Sequence, residues 1–252
     1  MLTSDLILGL EVDRPLRIGI GRSHESAKSE YSAIASARFG KISVYNDPEK
    51  LCEDLRDGII DAAVRGDMSS NEVMASLKEL FGINSLQRAA VMEPQHGGVF
   101  LLAPVGIDEG RTVEEKVEIA INASRLMVSL GGIGRVGVMS GGRESDRGRD
   151  RNVDISIDEA LETCARLHDI GIDAEHVQIT IESAIKDHDV ILAPDGIIGN
   201  VIFRTLHFLG GAKALGAPIL NLDKVFIDTS RAKEDYTDSI ALAYRLARKA
   251  IR

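Results

Sequence analysis

Residues 189–231, DVILAPDGIIGNVIFRTLHFLGGAKALGAPILNLDKVFIDTSR, decide the fold. Val190 to Ala193 is an apolar run with the length and composition of a buried parallel strand, and it stops at Pro194 and Asp195. Gly196 and Gly199 permit a tight turn, after which Val201, Ile202, Thr205, Leu206 and Leu209 recur at helical spacing. That spacing predicts a helix over 200–209, ended by Gly210 and Gly211. A second apolar run, Val225 to Ile227, leads into Asp228, Thr229, Ser230 and Arg231. Two strands thus deliver polar groups at their carboxyl ends, the edge at which open α/β sheets bind ligands. One delivers a helix N-terminus and the other a hydroxyl beside a guanidinium, a combination suited to an anion. A glycine turn into a helix also occurs at any βα junction, so Gly196 and Gly199 alone decide nothing. Thr229 or Ser230 is equally suited to cap the last helix, with Asp235 and Asp238 as acidic residues of its first turn.

Toward the N-terminus the same alternation repeats. Leu16 to Ile20 reads as a strand, and Gly19-Ile20-Gly21-Arg22-Ser23 turns into a helix from about Ser26 to Phe39. This GxGxS lacks the third glycine and the distal acidic residue of a dinucleotide fingerprint, so it reads as a plain βα turn. Ile42 to Tyr45, then Asp47, Pro48 at the first helical position, inward-facing Leu51, Cys52 and Leu55, and a stop at Gly58 make a second unit. Residues 61–66 (DAAVRG) are a strand ending in Arg65 and Gly66, ahead of a helix over about 70–80. Val99 to Ala103 reads as a strand, and Val117, Ala120, Ile121, Ser124, Met127 and Val128 as one helix face. Asp108 and Glu109 are expected in a solvated turn, and His96 in a loop. The arginine-rich segment 141–154, GGRESDRGRDRNVD, reads as a charge-compensated mobile loop at the ligand edge. Ile157, Ala160, Leu161, Cys164 and His168 make a further helix face, which gives His168 a structural role. Repeated βα units with few hairpin signals imply an α/β protein with a mostly parallel sheet covered on both faces.

With 252 residues and 44% hydrophobic content, the chain can bury a core as one large domain or two small ones. A net charge of -9 argues against a general nucleic-acid or anionic-membrane binder. No apolar run approaches a membrane span, and MLTSDLILGL lacks the features of a signal peptide, so a cytoplasmic protein is expected. Cys52 and Cys164 have no neighbours at metal-ligand spacing and read as core residues, leaving no metal site.

Taken as an ordered set, D-G-x-x-G-N-x-x-x-[KR], then G-x-A-x-x-G, then an apolar strand into D-x-S-R resembles the phosphate acetyl/butyryltransferase family and its PlsX acyl-phosphate relatives. Asp195, Gly196, Gly199, Asn200, Arg204, Gly211, Ala214, Gly216, Asp228, Ser230 and Arg231 carry it. SRAKEDYTDSIALA (230–243) and IIDAAVRGDMSSNEVMASL resemble the butyryl branch; in the latter, Arg65 is either a second phosphate ligand or a surface arginine at a strand end. In length and in the LLAPVGIDEG and SRAKEDY segments the chain is most similar to the MtxX group of methanogenic archaea (methanogenesis marker protein 4), which is labelled a methyltransferase subunit.

The resemblance implies a three-layer α/β architecture with mostly parallel sheets and two domains of the isocitrate/isopropylmalate-dehydrogenase-like type. Residues 1–87 plus 219–252 would form the first and 88–218 the second, with the site in a cleft between them and a homodimer as the assembly. It implies a transferase that moves an acyl group between phosphate and a thiol such as coenzyme A, without a metal or a tightly bound cofactor, coenzyme A or an acyl-CoA being cosubstrate. Arg231 would compensate charge and Ser230 orient the acyl group, while Asp195, Gly196, Gly199, Asn200, Arg204, Arg65 and Thr229 would bind phosphate and substrate. The base for the thiol would be Asp238 if one residue is inserted relative to the acetyl branch, with Asp235 as the fallback; Ala232 replaces that branch's glycine. Two alternatives remain open: an MtxX-type methyltransferase subunit in methanogenesis, partnered by a corrinoid protein or a methyltransferase, and a non-catalytic relative that binds a phosphorylated metabolite. The chain carries neither a corrinoid-binding Asp-x-His-x-x-Gly nor a zinc ligand set.

Overall fold

The computed structural model describes residues 2–9, 12–23 and 27–250. In chain order the elements begin with α1 (Ser4–Leu8), β1 (Leu16–Gly21), α2 (Lys28–Ala35), β2 (Gly40–Tyr45), α3 (Pro48–Arg56), β3 (Ala62–Val64) and α4 (Ser70–Phe81). There follow β4 (Ala90–Glu93), β5 (Phe100–Ala103), α5 (Val113–Leu130), β6 (Val136–Met139), α6 (Arg151–Asp169), β7 (Ala174–Gln178), α7 (Ile181–Asp187), β8 (Val190–Leu192) and α8 (Gly196–Arg204). The chain closes with β9 (Lys213–Pro218), β10 (Val225–Asp228) and α9 (Thr237–Ala250). The expected helix start at Ser26 lies outside the described residues; the described part of that helix is α2, with a 3-10 turn over Ala37–Phe39. No helix among the described residues is long and apolar enough to cross a membrane.

The chain builds two compact units, here named for their place in the sequence. The terminal unit comprises residues 4–86 and 215–252, and the middle unit comprises residues 87–214 with Leu2 and Thr3. The crossings fall at 86/87 and 214/215, against sequence expectations of 87/88 and 218/219; the second lies inside β9.

In the terminal unit the strand order is β2-β1-β3-β10-β9, with β2, β1, β3 and β10 parallel and β9 antiparallel to β10. The β1-α2-β2 crossover runs one way along the sheet and β2-α3-β3 runs back, so right-handed connections place α2 and α3 on opposite faces. On one face α3 and α4 bury Leu51, Cys52, Leu55, Val73 and Leu77 over Ala63 and Phe226. Helix α3 starts because Pro48 needs no amide partner and the Asp47 carboxylate accepts the Glu49 and Lys50 amides. Helix α9 covers β1, β3 and β10 beside α1 and α2, and Tyr244 stacks on Phe39 with ring centroids 5.0 Å apart.

In the middle unit the order is β4-β5-β8-β6-β7, with only β4 antiparallel to its neighbour. Helices α5 and α6 pack together on one face; α7 reverses direction from β7 to β8, which puts α7 and α8 on the other. Helix α5 is rotated from the expected face: it buries Val113, Lys116, Ile119, Ala120, Ala123, Met127 and Leu130, while Val128 is exposed. Along α6, Ile157, Ala160, Cys164 and Leu167 are buried, but Leu161 and His168 face out, so His168 is not the core residue its spacing implied. Segment 141–154 is not a free loop. Glu144–Asp146 is a 3-10 turn, Arg147 pairs with Glu144 and Asp158, Arg149 pairs with Asp146, and Asp150 caps α6 through the Asn152 and Val153 amides. Glu109 is likewise not solvated: it is 3% exposed and accepts from Arg88 Nε at 2.6 Å and from the Arg88 and Gly106 amides at 3.0 and 3.2 Å. Burial raises its carboxyl above the usual range, although Arg88 opposes this.

Candidate functional site

The four parallel strands of the terminal unit bring Gly21-Arg22-Ser23, Arg65-Gly66-Asp67 and Asp228-Thr229-Ser230-Arg231 to one edge of the sheet. Between β1 and β3 the following helices leave toward opposite faces, which makes this gap the topological switch point. Asp67, 5% exposed, spans it by accepting from the Ser23 amide at 2.9 Å and lying 3.2 Å from the Ser29 hydroxyl, which is also 2.7 Å from the Gly21 carbonyl. Gly66, with φ +62°, approaches so closely that a Cβ would strike the Gly21 carbonyl oxygen.

Arg65 and Thr229, both expected as anion ligands, fasten loops together. Arg65 is 4% exposed; its Nε donates to Asp228 and its Nη1 to the Met68 carbonyl at 2.6 Å. It is therefore not the surface arginine of one expectation, and much of its charge is met by Asp228. The Thr229 hydroxyl donates to the Gly66 carbonyl at 2.7 Å and its amide to Asp228 at 2.8 Å. These bonds hold Ser230 and Arg231 at the rim. The Ser230 carbonyl accepts from the buried Tyr236 hydroxyl at 3.3 Å and from the Lys233 amide at 3.1 Å, and its Oγ accepts from the Ala232 amide at 3.2 Å. Among the described residues nothing accepts the hydroxyl hydrogen. Arg231 is exposed, and among the described residues it has no ion-pair or hydrogen-bond partner.

The two base candidates differ in their surroundings. Asp235 accepts from the Thr237 hydroxyl at 2.6 Å, the Thr237 amide at 2.8 Å and the Ser32 hydroxyl at 3.0 Å, so it caps α9. Burial would raise its carboxyl, but these bonds outweigh burial and hold it below the usual value, which makes it a poor proton acceptor. Asp238 stands half-buried in the first turn of α9.

In the middle unit the loop after β8 is built differently from its sequence reading. Helix α8 begins at Gly196 and not at Asn200, because Asp195 caps it by accepting the Ile198 amide at 2.8 Å. The Gly196 amide donates to the Glu109 carbonyl at 3.0 Å and the Gly199 amide to the Asp195 carbonyl at 2.9 Å, so these donors are not offered to a phosphate. A Cβ at Gly196 would strike the Gly106 carbonyl oxygen, and one at Gly199 that of Pro104. Asn200 donates to the Val105 carbonyl at 2.9 Å. The DGxxGN pattern is thus accounted for by packing α8 against residues 104–109. Arg204 lies in the last turn of α8, ~12 Å along the axis from Gly196, stacked 5.2 Å from the Phe208 ring centroid. Gly199→Ala is expected to destabilise the protein by about 1–3 kcal/mol, seen as a lower melting temperature. Gly141→Ala, whose added carbon meets Ser156 at an ordinary 3.5 Å, is expected to melt near wild type.

Two features of this unit escaped the sequence reading. Ser140, at the end of β6 and 1% exposed, has its Oγ 2.8 Å from His176 Nε2 and 2.8 Å from the Gly142 carbonyl. Beside it Gln178 has a φ of 58°, at a register shift between β6 and β7. Its carbonyl accepts the Ser140 amide and its side chain the Glu144 amide. No local spacing signals a pair brought together across parallel strands. Burial lowers His176 below its ordinary value of 6.5, with Glu144 opposing and Arg147 assisting. The folded protein therefore keeps His176 neutral where the unfolded chain takes up a proton. The stability it contributes is fully present above about pH 6.5 and is lost as the pH falls from there through the folded pKa. His176→Gln is expected to flatten that part of a melting-temperature profile.

Between the loops after β6 and β8, the switch point of the middle unit, lies a cavity of about 310 Å³ lined by Asn152, Val153, Ser156, Glu159, Asp195 and Ile198 among others. Among the described residues no cluster of His, Cys, Asp and Glu could hold a metal ion.

No family model matches the chain. Two phosphotransacylase structures share its fold. A phosphotransacetylase from Streptococcus pyogenes superposes with a TM-score of 0.74 at 17% identity, covering 100% of this chain and 99% of that one. A branched-chain phosphotransacylase from Enterococcus faecalis gives 0.69 at 19% identity, covering 96% and 94%. By sequence, a protein of Methanosarcina acetivorans named "Putative methyltransferase mtx subunit X" is 46% identical over 202 residues, 80% of this chain and 72% of the relative. Its namesake in Methanosarcina mazei is 43% identical over the same shares of both chains. At that identity and coverage, with a fold shared with the phosphotransacylases, the chain belongs to the mtx subunit X family.

Proposed function

We propose that the protein is a transferase that binds a phosphoryl-bearing small molecule at the Ser230–Arg231 loop and moves an acyl group between phosphate and a thiol such as coenzyme A. The observation that carries this reading is the rim loop itself: a hydroxyl beside a guanidinium, neither of which gives its hydrogens to a partner among the described residues, held at the carboxyl edge of a parallel sheet by Tyr236, Thr229 and the Arg65–Asp228 pair. In the forward direction the thiol sulfur attacks the carbonyl carbon of an acyl phosphate. A carbon–sulfur bond forms, the carbon–oxygen bond to phosphate breaks, phosphate leaves and the thiol proton passes to a base. Arg231 neutralises the departing phosphate and Ser230 donates to the acyl oxygen. Asp238 is the base we assign, since Asp235 is held low by its capping bonds. The cosubstrate is coenzyme A or an acyl-CoA, with no tightly bound cofactor, and the assembly is a homodimer. The test is phosphate-dependent release of free thiol from a panel of short- and medium-chain acyl-CoAs, together with mass measurement in solution; silence across the panel sinks the acyl-transfer reading.

The names of the relatives at 43–46% identity favour a second reading, a methyltransferase subunit in methanogenesis. It expects a corrinoid protein or a methyltransferase to co-purify from the native cell. Recovery of the protein without either counts against it.

A further inference from the structure

We propose that the middle unit carries a second small-molecule site, a pocket for the vicinal hydroxyls of a nucleoside, built from residues that take no part in the anion loop. Its frame is the cavity of about 310 Å³ at the switch point between β6 and β8, near the lower end of the roughly 300–1,000 Å³ typical of small-molecule sites.

Each of the two carboxylates lining it has one oxygen committed to structure and one left over. Glu159 Oε2 accepts from the buried Lys116 ammonium at 2.6 Å, and Asp195 Oδ1 accepts the Ile198 amide at 2.8 Å. Among the described residues neither Glu159 Oε1 nor Asp195 Oδ2 has a partner. Ser156 accepts the Gly141 amide at 2.8 Å, which leaves its hydroxyl hydrogen to give, and the Asn152 side-chain amide is also uncommitted among the described residues. The cavity therefore presents two fixed acceptors, one donor and one group that does both, backed by the apolar Val153 and Ile198.

That inventory discriminates between ligands. A phosphate would meet two carboxylates and is repelled. An ammonium only donates, so Ser156 and Asn152 would be left without acceptors. Adjacent hydroxyls both donate and accept and can satisfy all four groups, while the apolar wall receives a carbon skeleton or a base. Bonds to charged acceptors are the stronger kind and need no rearrangement here, because Lys116 and the α8 amide already fix both carboxylates.

The test is a titration of the full chain with adenosine, guanosine, cytidine and uridine, followed by amide chemical shifts, with the 2′-deoxynucleosides and inorganic phosphate as further probes. At least one nucleoside is expected to move the Gly141, Ser156 and Ile198 amides saturably. Its 2′-deoxy form is expected to bind about tenfold more weakly, and Glu159→Gln to weaken the parent nucleoside by a similar factor. Asn152→Ala, at an exposed position, gives the same readout should Glu159→Gln disturb the fold through Lys116. Phosphate is expected to leave these three amides unmoved. Failure of all four nucleosides to shift them at millimolar concentration overturns the proposal, as does equal binding of the deoxy forms, indifference to both substitutions, or a response to phosphate. The anion site is read from the Ser230 and Arg231 amides, so either site can fail without the other.

Discussion

Arg65→Ala is expected to lower the stability of the terminal unit by about 3–5 kcal/mol, the usual cost of removing one partner from a buried ion pair. The Arg65 and Asp228 side chains are 5% and 12% exposed, so little solvent screens them. Alanine would strip the Met68 carbonyl of the Arg65 donor and take from the Asp228 carboxylate the guanidinium it faces. Because the pair joins the loops after β3 and β10, the loss should appear as a lower denaturant midpoint for this unit. Arg65→Met with Asp228→Leu should recover much of it, since two apolar side chains leave no stranded charge. A loss under about 1 kcal/mol for the single substitution would show that the charges are solvated after all.

Arg231→Ala is expected to lower phosphate-dependent thiol release by about 10²–10³-fold, the range seen when a preorganised donor to developing charge is removed. The melting temperature should not move, because the side chain is exposed and has no described partner. Arg231→Lys should fall between, since an ammonium keeps the charge but not the two-pronged geometry. Asp238→Asn should act on rate, whereas Asp235→Asn, which disturbs the α9 cap, should act on melting. Undiminished turnover by Arg231→Ala would remove this residue from the reaction.

The architecture was legible because its signals are local. Apolar runs at Leu16, Ile42, Ala62, Val99, Val190 and Val225 all fall in or beside observed strands, and Asp47-Pro48 marks a helix start that the structure shows. Errors arose where a tertiary partner overrode a local pattern. Asp195 began α8 a turn early, and the two glycines beside it answer to the backbone at Pro104 and Gly106, which no spacing reveals. Lys116 lies on the buried face of α5 because Glu159 of α6 meets it there, so the apolar stripe misplaced that face. Glu109 looked like a solvated turn residue because Arg88, its partner, lies 21 positions away. The arginine-rich segment reads as disordered only until Asp158 and the α6 cap are in place. In the rim loop the sequence indicated Ser230 and Arg231, but not that Arg65 and Thr229 are the fastenings that present them.

The terminal unit is made from two stretches separated by the whole of the middle unit, and β10, from the second stretch, is the strand that flanks β3. During synthesis β3 therefore waits with one edge unpaired until β10, which ends at Asp228 of 252 residues, has emerged, while every strand from β4 to β8 is already available to fold. A ribosome stalled far enough beyond residue 214 for the middle unit to clear the exit tunnel, with β10 still inside it, should carry a protease-resistant middle unit and a digestible N-terminal segment, so chaperone demand should centre on residues 4–86.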